Sequence, residues 1–238
     1  MNIIVSGASS GIGYQTVLEL AKTGEHHIMA ISRNQTNLEK LKVEAELANT
    51  SKVHIISFDL SQKDYGNLLD EINHYFHLNI GNSVDILINN AGYLVNKPFI
   101  ELTMEDWQKT FEINLFATVK LIKLLFPFFN KKQGSHIVNI GSMGGVQGTE
   151  KFPGLSAYSA SKSAINVLTE SLAAEFETEN IKINAINPGA VQTEMLETAF
   201  PGFKAPVTAQ QMGNYIANFA INGHQLMNGR IHQVSLIG

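Results

Sequence analysis

The sequence predicts an α/β fold in which one doubly wound, parallel, seven-stranded sheet carries helices on both faces. Three observations lead there. Short apolar runs alternate along the whole chain with longer segments of helical apolar spacing, and strands that alternate with helices pair in parallel. The first run passes directly through a glycine-rich loop into a helix. The 238 residues, 44% of them hydrophobic, suffice for one sizeable core, and no linker, repeat or low-complexity segment divides them. Residues 1–238 are therefore expected to form one domain.

Residues 3–5 form a buried strand that ends in Ser6-Gly7-Ala8-Ser9-Ser10-Gly11-Ile12-Gly13. Residues 14–22 follow as a helix, with Val17, Leu18 and Ala21 at helical spacing and Gly24 as C-cap. Glycine permits positive φ and lets backbone N–H groups approach a pyrophosphate, which then rests at the positive end of the helix. An ordinary tight turn would use the same residues; the strand–loop–helix context favours a phosphate-binding loop. The second strand, 27–31, runs into Ser32-Arg33-Asn34. In dinucleotide folds an acidic residue here, about 20 positions after the loop, would hold ribose hydroxyls. None is present, and Arg33 can pair with a 2′-phosphate. NADP(H) is the favoured cofactor on this ground, with NAD(H) as the other.

Thr36 is expected to N-cap a helix reaching residue 48. The third strand, 53–58, ends at Asp59-Leu60, where a carboxylate can accept from an adenine amino group or cap the next helix, 65–76. The fourth strand, 84–88, runs into Asn89-Asn90-Ala91-Gly92, small residues that leave room for a ligand at the strand's carboxyl end. Thr103 opens a long helix through a capping box with Asp106. Trp107, Phe111, Leu115, Val119, Ile122 and Phe126 form its apolar stripe, and Pro127 ends it. Asn114, set among apolar neighbours, bonds either nearby backbone or a water.

The fifth strand, 136–140, delivers Ser142 to the ligand side of the sheet. Tyr158 and Lys162 lie on the next helix, 156–177, four apart and on one face. There the ammonium favours the phenolate and lowers the phenol's pKa from its ordinary value of about 10, which makes a proton donor usable near neutral pH. The same spacing suits a half-buried ring beside a solvated amine. The sixth strand, 182–186, ends in the turn Asn187-Pro188-Gly189. Residues 190–207 read as irregular, with Met195, Leu196, Phe200 and Phe203, and structureless segments of that length are usually functional. Thr208 opens the last helix, to 221, and the seventh strand is 231–236.

Composition narrows the function. A net charge of −4 leaves no basic footprint for nucleic acid. The absence of cysteine excludes disulfides, thiolate metal sites and a cysteine nucleophile, and no metal is expected. No basic region precedes the apolar run at Ile3, and the run 124–129 is too short to span a bilayer. Neither a signal peptide nor a membrane contact is expected, and the cytoplasm is the default location.

In order, Gly7-x-x-x-Gly11-x-Gly13, Asn89-Asn90-Ala91-Gly92, Asn114, Ser142, Tyr158-x-x-x-Lys162 and Pro188-Gly189 resemble the short-chain dehydrogenases/reductases over the whole chain. The resemblance implies a Rossmann-type sheet of order 3-2-1-4-5-6-7, small-molecule carbonyl or alcohol substrates, and a homodimer or homotetramer. It also implies roles. Tyr158 would be the general acid in carbonyl reduction and the base in the reverse, Lys162 would depress its pKa and bond the nicotinamide ribose, and Ser142 would bond the substrate oxygen. Asn114 would hold a relay water. Gly7, Ser9, Ser10, Gly11, Ile12 and Gly13 would line the pyrophosphate and its surroundings, and Ser32 and Arg33 the adenosine ribose. Asp59 and Leu60 would take the adenine, and Asn89, Asn90, Ala91 and Gly92 would flank the ribose. Tyr158, Lys162, Pro188, Gly189, Val191 and Thr193 would complete the cofactor site.

Ser6 stands where many family members have threonine, and its hydroxyl can make a similar bond. The segment between Ser142 and Tyr158 is a few residues longer than is common and is expected to reshape one wall of the substrate site. The end at Ile237-Gly238, directly after the last strand, suggests an open site. The apolar stripes of the helices at Thr103 and Ser156 would suit a two-fold interface or serve as core. A different reading of the same frame is a non-catalytic NAD(P)-binding regulator, although such relatives typically lose Tyr or Lys.

Overall fold

The computed structural model describes residues 1–48 and 52–236. Six strands follow in chain order: β1 (Asn2–Ser6), β2 (His27–Ser32), β3 (Lys52–Ser57), β4 (Ile86–Asn89), β5 (Ser135–Ile140) and β6 (Ile181–Pro188). Two short strands, β7 (Val191–Gln192) and β8 (Val207–Thr208), pair only with each other, and β9 (Ile231–Val234) closes the main sheet. The sheet has seven strands in the order β3-β2-β1-β4-β5-β6-β9, all parallel, which is the expected order. From β1 the chain winds outward through β2 and β3, then returns to β4 on the other side of β1. That reversal opens a crevice at the carboxyl ends of β1 and β4.

Helices α1 (Gly11–Ala21), α2 (Gln35–Ala48), α3 (Gly66–Phe76), α4 (Met104–Phe111), α5 (Ala117–Leu125), α6 (Ser156–Glu175), α7 (Glu194–Ala199) and α8 (Ala209–Asn222) complete the frame. Strand side chains alternate between two cores. Ile3 and Val5 face one built with Val17, Leu20, Leu38, Leu41 and Ile216. Ile4, Met29 and Leu87 face the other, built with Leu68, Ile72, Phe76 and Leu121. Burial on both faces explains why the strands read as continuous apolar runs rather than alternating ones.

Several expected boundaries shift. α1 begins at Gly11, so the glycine loop forms its first turn. Asn34, not Thr36, caps α2: its Oδ1 accepts from the Asn37 N–H at 3.0 Å, and Thr36 lies inside the helix. The Thr103–Asp106 capping box is present, and the helix it opens runs on past Phe111 through one wider turn. A π turn, Glu112–Phe116, separates α4 from α5. Residues 190–207 are not structureless. They hold β7, β8 and α7, the last capped by the Thr193 hydroxyl accepting from Leu196 N–H at 3.2 Å. Among the described residues no helix is long and apolar enough to cross a membrane, and no cluster of three His, Asp or Glu could hold a metal. Ile237 and Gly238 lie outside the described residues.

His136 on β5 makes the fold acid-sensitive. It is 1% exposed; its Nδ1–H donates to Ala220 O at 2.8 Å and its Nε2 accepts from Asn184 Nδ2 at 3.0 Å. Both nitrogens are thus engaged in the neutral form. Burial pulls its pKa from 6.5 down to about 4. The unfolded chain takes up the proton first, so stability is complete above pH 6.5 and declines as pH falls towards 4. The span of 6.5 − 4 = 2.5 units corresponds to about 3 kcal/mol. Denaturant titrations across this window should show that slope, and His136→Gln should flatten it; an unchanged slope would refute the assignment.

Candidate active site

The crevice between β1 and β4 is built from backbone fitted to backbone. Gly7 and Gly11 have φ of +66° and +56°, which a side chain would resist. A Cβ on Gly13 would overlap the Gly7 carbonyl and Asn90 Nδ2. The Ser6 hydroxyl accepts from the N–H groups of Asn90 and Ala91 at 3.1 and 3.2 Å, and Asn90 Nδ2 donates to Ser6 O and Gly7 O at 3.2 and 3.0 Å. Asn90 therefore stitches the glycine loop to β4, a function that its place in a run of small residues did not reveal. The result is a rigid loop with the free N–H groups of α1 behind it, a ready anion seat.

At the end of β2, the hydroxyls of Ser9 and Ser32 lie 2.7 Å apart, and Arg33 is exposed beside them. Asp59 Oδ1 accepts from Ser61 N–H and Ser61 Oγ at 2.9 and 2.8 Å. It does not cap α3; the first-turn N–H of Gly66 goes to Asp64 Oδ1 at 2.8 Å. Burial alone would raise the Asp59 pKa, but the two Ser61 bonds and the Arg33 charge bring it below the usual carboxylate value.

Ser142 starts a 3-10 turn, Met143–Gly145, where β5 leaves the sheet. Its Oγ accepts from Gly144 N–H at 3.2 Å, which leaves its own proton free to donate. A Cβ on Gly145 would stand 2.6 Å from the Lys162 carbonyl carbon, so this turn lies directly on α6. Lys162 is 3% exposed and donates to Ile140 O at 2.7 Å, with its Nζ 5.9 Å from the Tyr158 ring centroid. Tyr158 is half-buried. Burial brings the Lys162 ammonium down to about 8. Burial likewise pushes the Tyr158 phenol up, while a hydrogen bond with the Ser142 hydroxyl pulls it down. The expected depression of the phenol pKa by the lysine is therefore not found. The ammonium donates to Ile140 O and its Nζ stays 5.9 Å from the ring centroid, so burial and the Ser142 hydroxyl set the direction of the phenol's shift.

Asn114 sits in the π turn, 1% exposed. Its Oδ1 accepts from Tyr93 N–H at 2.7 Å, and its Nδ2 donates to Tyr93 O and Ser161 Oγ at 2.9 and 2.8 Å. Of the two readings left open by the sequence, the side chain takes backbone bonding. Both of its donors are used, so a water can bind only at the second lone pair of Oδ1 or at the main-chain carbonyl.

All these elements border one cavity of about 760 Å³. Every residue expected at the site lines it except Gly13, Asn89 and Asn114. The carboxyl end of β9 adds Gln233 and Ser235 to the lining, which sequence reasoning missed; a Cβ on Gly189 would meet Ser235 Oγ at 2.5 Å. Leu94, Met143, Leu155, Met195, Phe200 and Phe203 give the lining much of its apolar character. Phe152, from the longer segment before α6, meets Phe200 edge-on at 6.3 Å, and Glu150 and Glu194, both exposed, also border the cavity.

Residues 1–202 match the family model described as short chain dehydrogenase. Among curated relatives, an uncharacterized oxidoreductase of Bacillus subtilis is 31% identical over 202 residues, 84% of this chain and 68% of that one. A 3-oxoacyl-[acyl-carrier-protein] reductase of Thermotoga maritima is 30% identical over 194 residues, 82% of this chain and 75% of that one. A solved 7α-hydroxysteroid dehydrogenase, complexed with NADH and 7-oxo glycochenodeoxycholic acid, shares the fold with a TM-score of 0.88 at 24% identity, over 100% of this chain and 93% of the other.

Proposed function

Because this chain belongs to the short-chain dehydrogenase/reductase family of oxidoreductases, we propose that it moves a hydride between NADP(H) and a ketone or aldehyde and its alcohol. The observation that carries this reading is the convergence of Ser142, Tyr158 and Lys162 in the cavity whose far end is the glycine loop. The site fits a nicotinamide dinucleotide: Gly7 and Gly11 hold positive φ, and the bare α-carbon of Gly13 lets α1 pack directly on the loop, where a Cβ would overlap the Gly7 carbonyl. The bound nicotinamide supplies the hydride. The protein does the rest. The carbonyl oxygen sits between the Ser142 and Tyr158 hydroxyls, where Ser142 donates to the developing oxyanion. Tyr158 delivers the proton. A phenol whose pKa is raised by burial stays protonated at neutral pH, which suits an acid in the reducing direction.

The buried Lys162 cation steadies the phenolate that proton transfer leaves behind. It loses its proton near pH 8, so the reduction rate should fall as pH rises through about 8. A pH–rate profile checks this, and a rate that climbs steadily across that region would contradict it.

Cofactor choice rests on Arg33, with Ser9 and Ser32 beside it and no carboxylate at the end of β2. NADPH should bind at least about tenfold tighter than NADH, and Arg33→Ala should remove the preference, since a hydrogen bond to a charged group contributes about 1.5–3 kcal/mol. Tighter binding of NADH by the unaltered protein would overturn the assignment. The apolar residues of the lining favour an uncharged carbonyl compound with an apolar flank, and the exposed Glu150 and Glu194 bordering the cavity disfavour a polyanionic carrier. The identity to a carrier-protein reductase supports a 3-oxoacyl chain as the second reading. Turnover of simple ketones against acetoacetyl-coenzyme A separates the two.

The protein assembles through the outer faces of the α4–α5 segment and α6, where Phe116 is 46% and Val167 60% exposed. Light scattering should give a dimer or tetramer, and Val167→Glu should reduce it to smaller species.

A further inference from the structure

We propose that Asn187 is a positioning residue for Ser142, acting together with Asn166 across the bare α-carbon of Gly141. The proposal rests on the reading that Ser142 bonds the substrate oxygen.

The β5–β6 ladder reaches Gly141, whose N–H donates to Ile186 O at 2.8 Å. Pro188 has no N–H, so β6 cannot donate at the next step. The Ser142 N–H, beyond that ladder, needs an acceptor and finds it in the side chain of Asn187, whose Oδ1 accepts it at 2.9 Å. That oxygen occupies the space over Gly141, where a Cβ would overlap it. Asn166, from α6, closes the same space from the other side: its Oδ1 lies 3.1 Å from that Cβ position, and its Nδ2 donates to Gly145 O at 3.3 Å. The turn bearing Ser142 is therefore held by an asparagine on the N–H that opens it, and by Ser163 Oγ, at 2.5 Å, together with Asn166 on the carbonyl that closes it. The two asparagine bonds fix each amide's orientation. They leave Asn187 Nδ2, a donor, and Asn166 Oδ1, an acceptor, both buried and with no other partner among the described residues. Asn187 is 0% exposed and Asn166 7%. So costly a buried polar pair does not stabilise the fold as an apolar pair would; what it does is set where the Ser142 peptide lies.

The test uses the full-length protein with NADPH and a ketone it reduces. Asn187→Ala should lower kcat on the order of 10- to 100-fold, the scale for displacing a reacting group by about 1 Å, with ketone KM and NADPH Kd little changed. Exchange of the Ser142 amide, followed by NMR, should accelerate at least about tenfold as its acceptor is lost. Asn187→Asp keeps the acceptor. In its protonated form it is uncharged like the amide it replaces, so its kcat should approach that of the unaltered protein at low pH and fall as this buried carboxyl ionises. Gly141→Ala should be disruptive alone, whereas Gly141→Ala with Asn187→Ala should fold yet stay slow. A purely structural role predicts the reverse, with kcat returning alongside stability. Folded Asn187→Ala with unchanged kcat overturns the proposal. If that variant does not fold, Asn187→Asp decides: folded, cofactor-bound and slow at every pH, it overturns it equally. Absence of any carbonyl turnover in the unaltered protein would defeat the proposed function. The amide would still report on Asn187, and equal protection with and without it would sink the positioning role by itself.

Discussion

Replacing Tyr158 with Phe should lower carbonyl reduction by between about a hundredfold and ten-thousandfold, the range that a positioned general acid contributes. The fold should be unaffected, because the ring keeps its place on α6 and the lost hydroxyl was a desolvated one. NADPH binding should change little, since the glycine loop at the far end of the cavity is untouched. Steady-state kinetics and a fluorescence titration of the cofactor give the two numbers. Turnover like that of the unaltered protein would remove Tyr158 from the mechanism. Loss of cofactor binding in step with turnover would make its role one of binding.

Gly13→Ala should be the most damaging single methyl group at the cofactor end. In the first turn of an exposed helix this change would gain up to about 1 kcal/mol from helix propensity. Here the added Cβ overlaps the Gly7 carbonyl and Asn90 Nδ2. Asn90 cannot simply rotate away, because it donates to both Ser6 O and Gly7 O, and the Gly7 carbonyl is backbone. Relief requires moving α1 away from the loop that it caps. We expect a loss of about 3 kcal/mol or more and cofactor binding too weak to measure by titration. Thermal unfolding with and without NADPH reads both. A variant as stable as the parent, with the same cofactor-induced shift, would show that the loop is more compliant than its packing indicates.

The parts legible in sequence are those whose signal is local or ordered along the chain. The glycine spacing, the small residues after β4, and the Tyr158–Lys162 spacing on a helix are of this kind, and the strand order follows from the family they resemble. The helix opened at Thr103 buries a different face from the one its apolar stripe suggests. The buried face runs instead through Thr110, Ile113, Asn114, Ala117, Leu121 and Leu125, and the stripe of Trp107, Phe111, Leu115 and Val119 is only half-buried. The direction of the Tyr158 pKa could not be read from spacing, because it depends on how much water the walls remove from both partners. Asn187 was invisible for another reason. Its place before Pro-Gly signals a turn, while its work is done on an N–H 45 residues earlier. Asn90 likewise acts on Ser6 and Gly7, more than 80 residues away.

The central claim is that this cavity transfers a hydride to a carbonyl. The most direct measurement is NADPH oxidation by the purified protein over a panel of uncharged ketones and aldehydes, with Tyr158→Phe run in parallel. The proposed mechanism predicts stoichiometric conversion of at least one apolar carbonyl compound to its alcohol, nearly abolished in the variant. Tight NADPH binding with no oxidation of it by any compound would contradict the mechanism and leave a cofactor-binding regulator as the reading of the site.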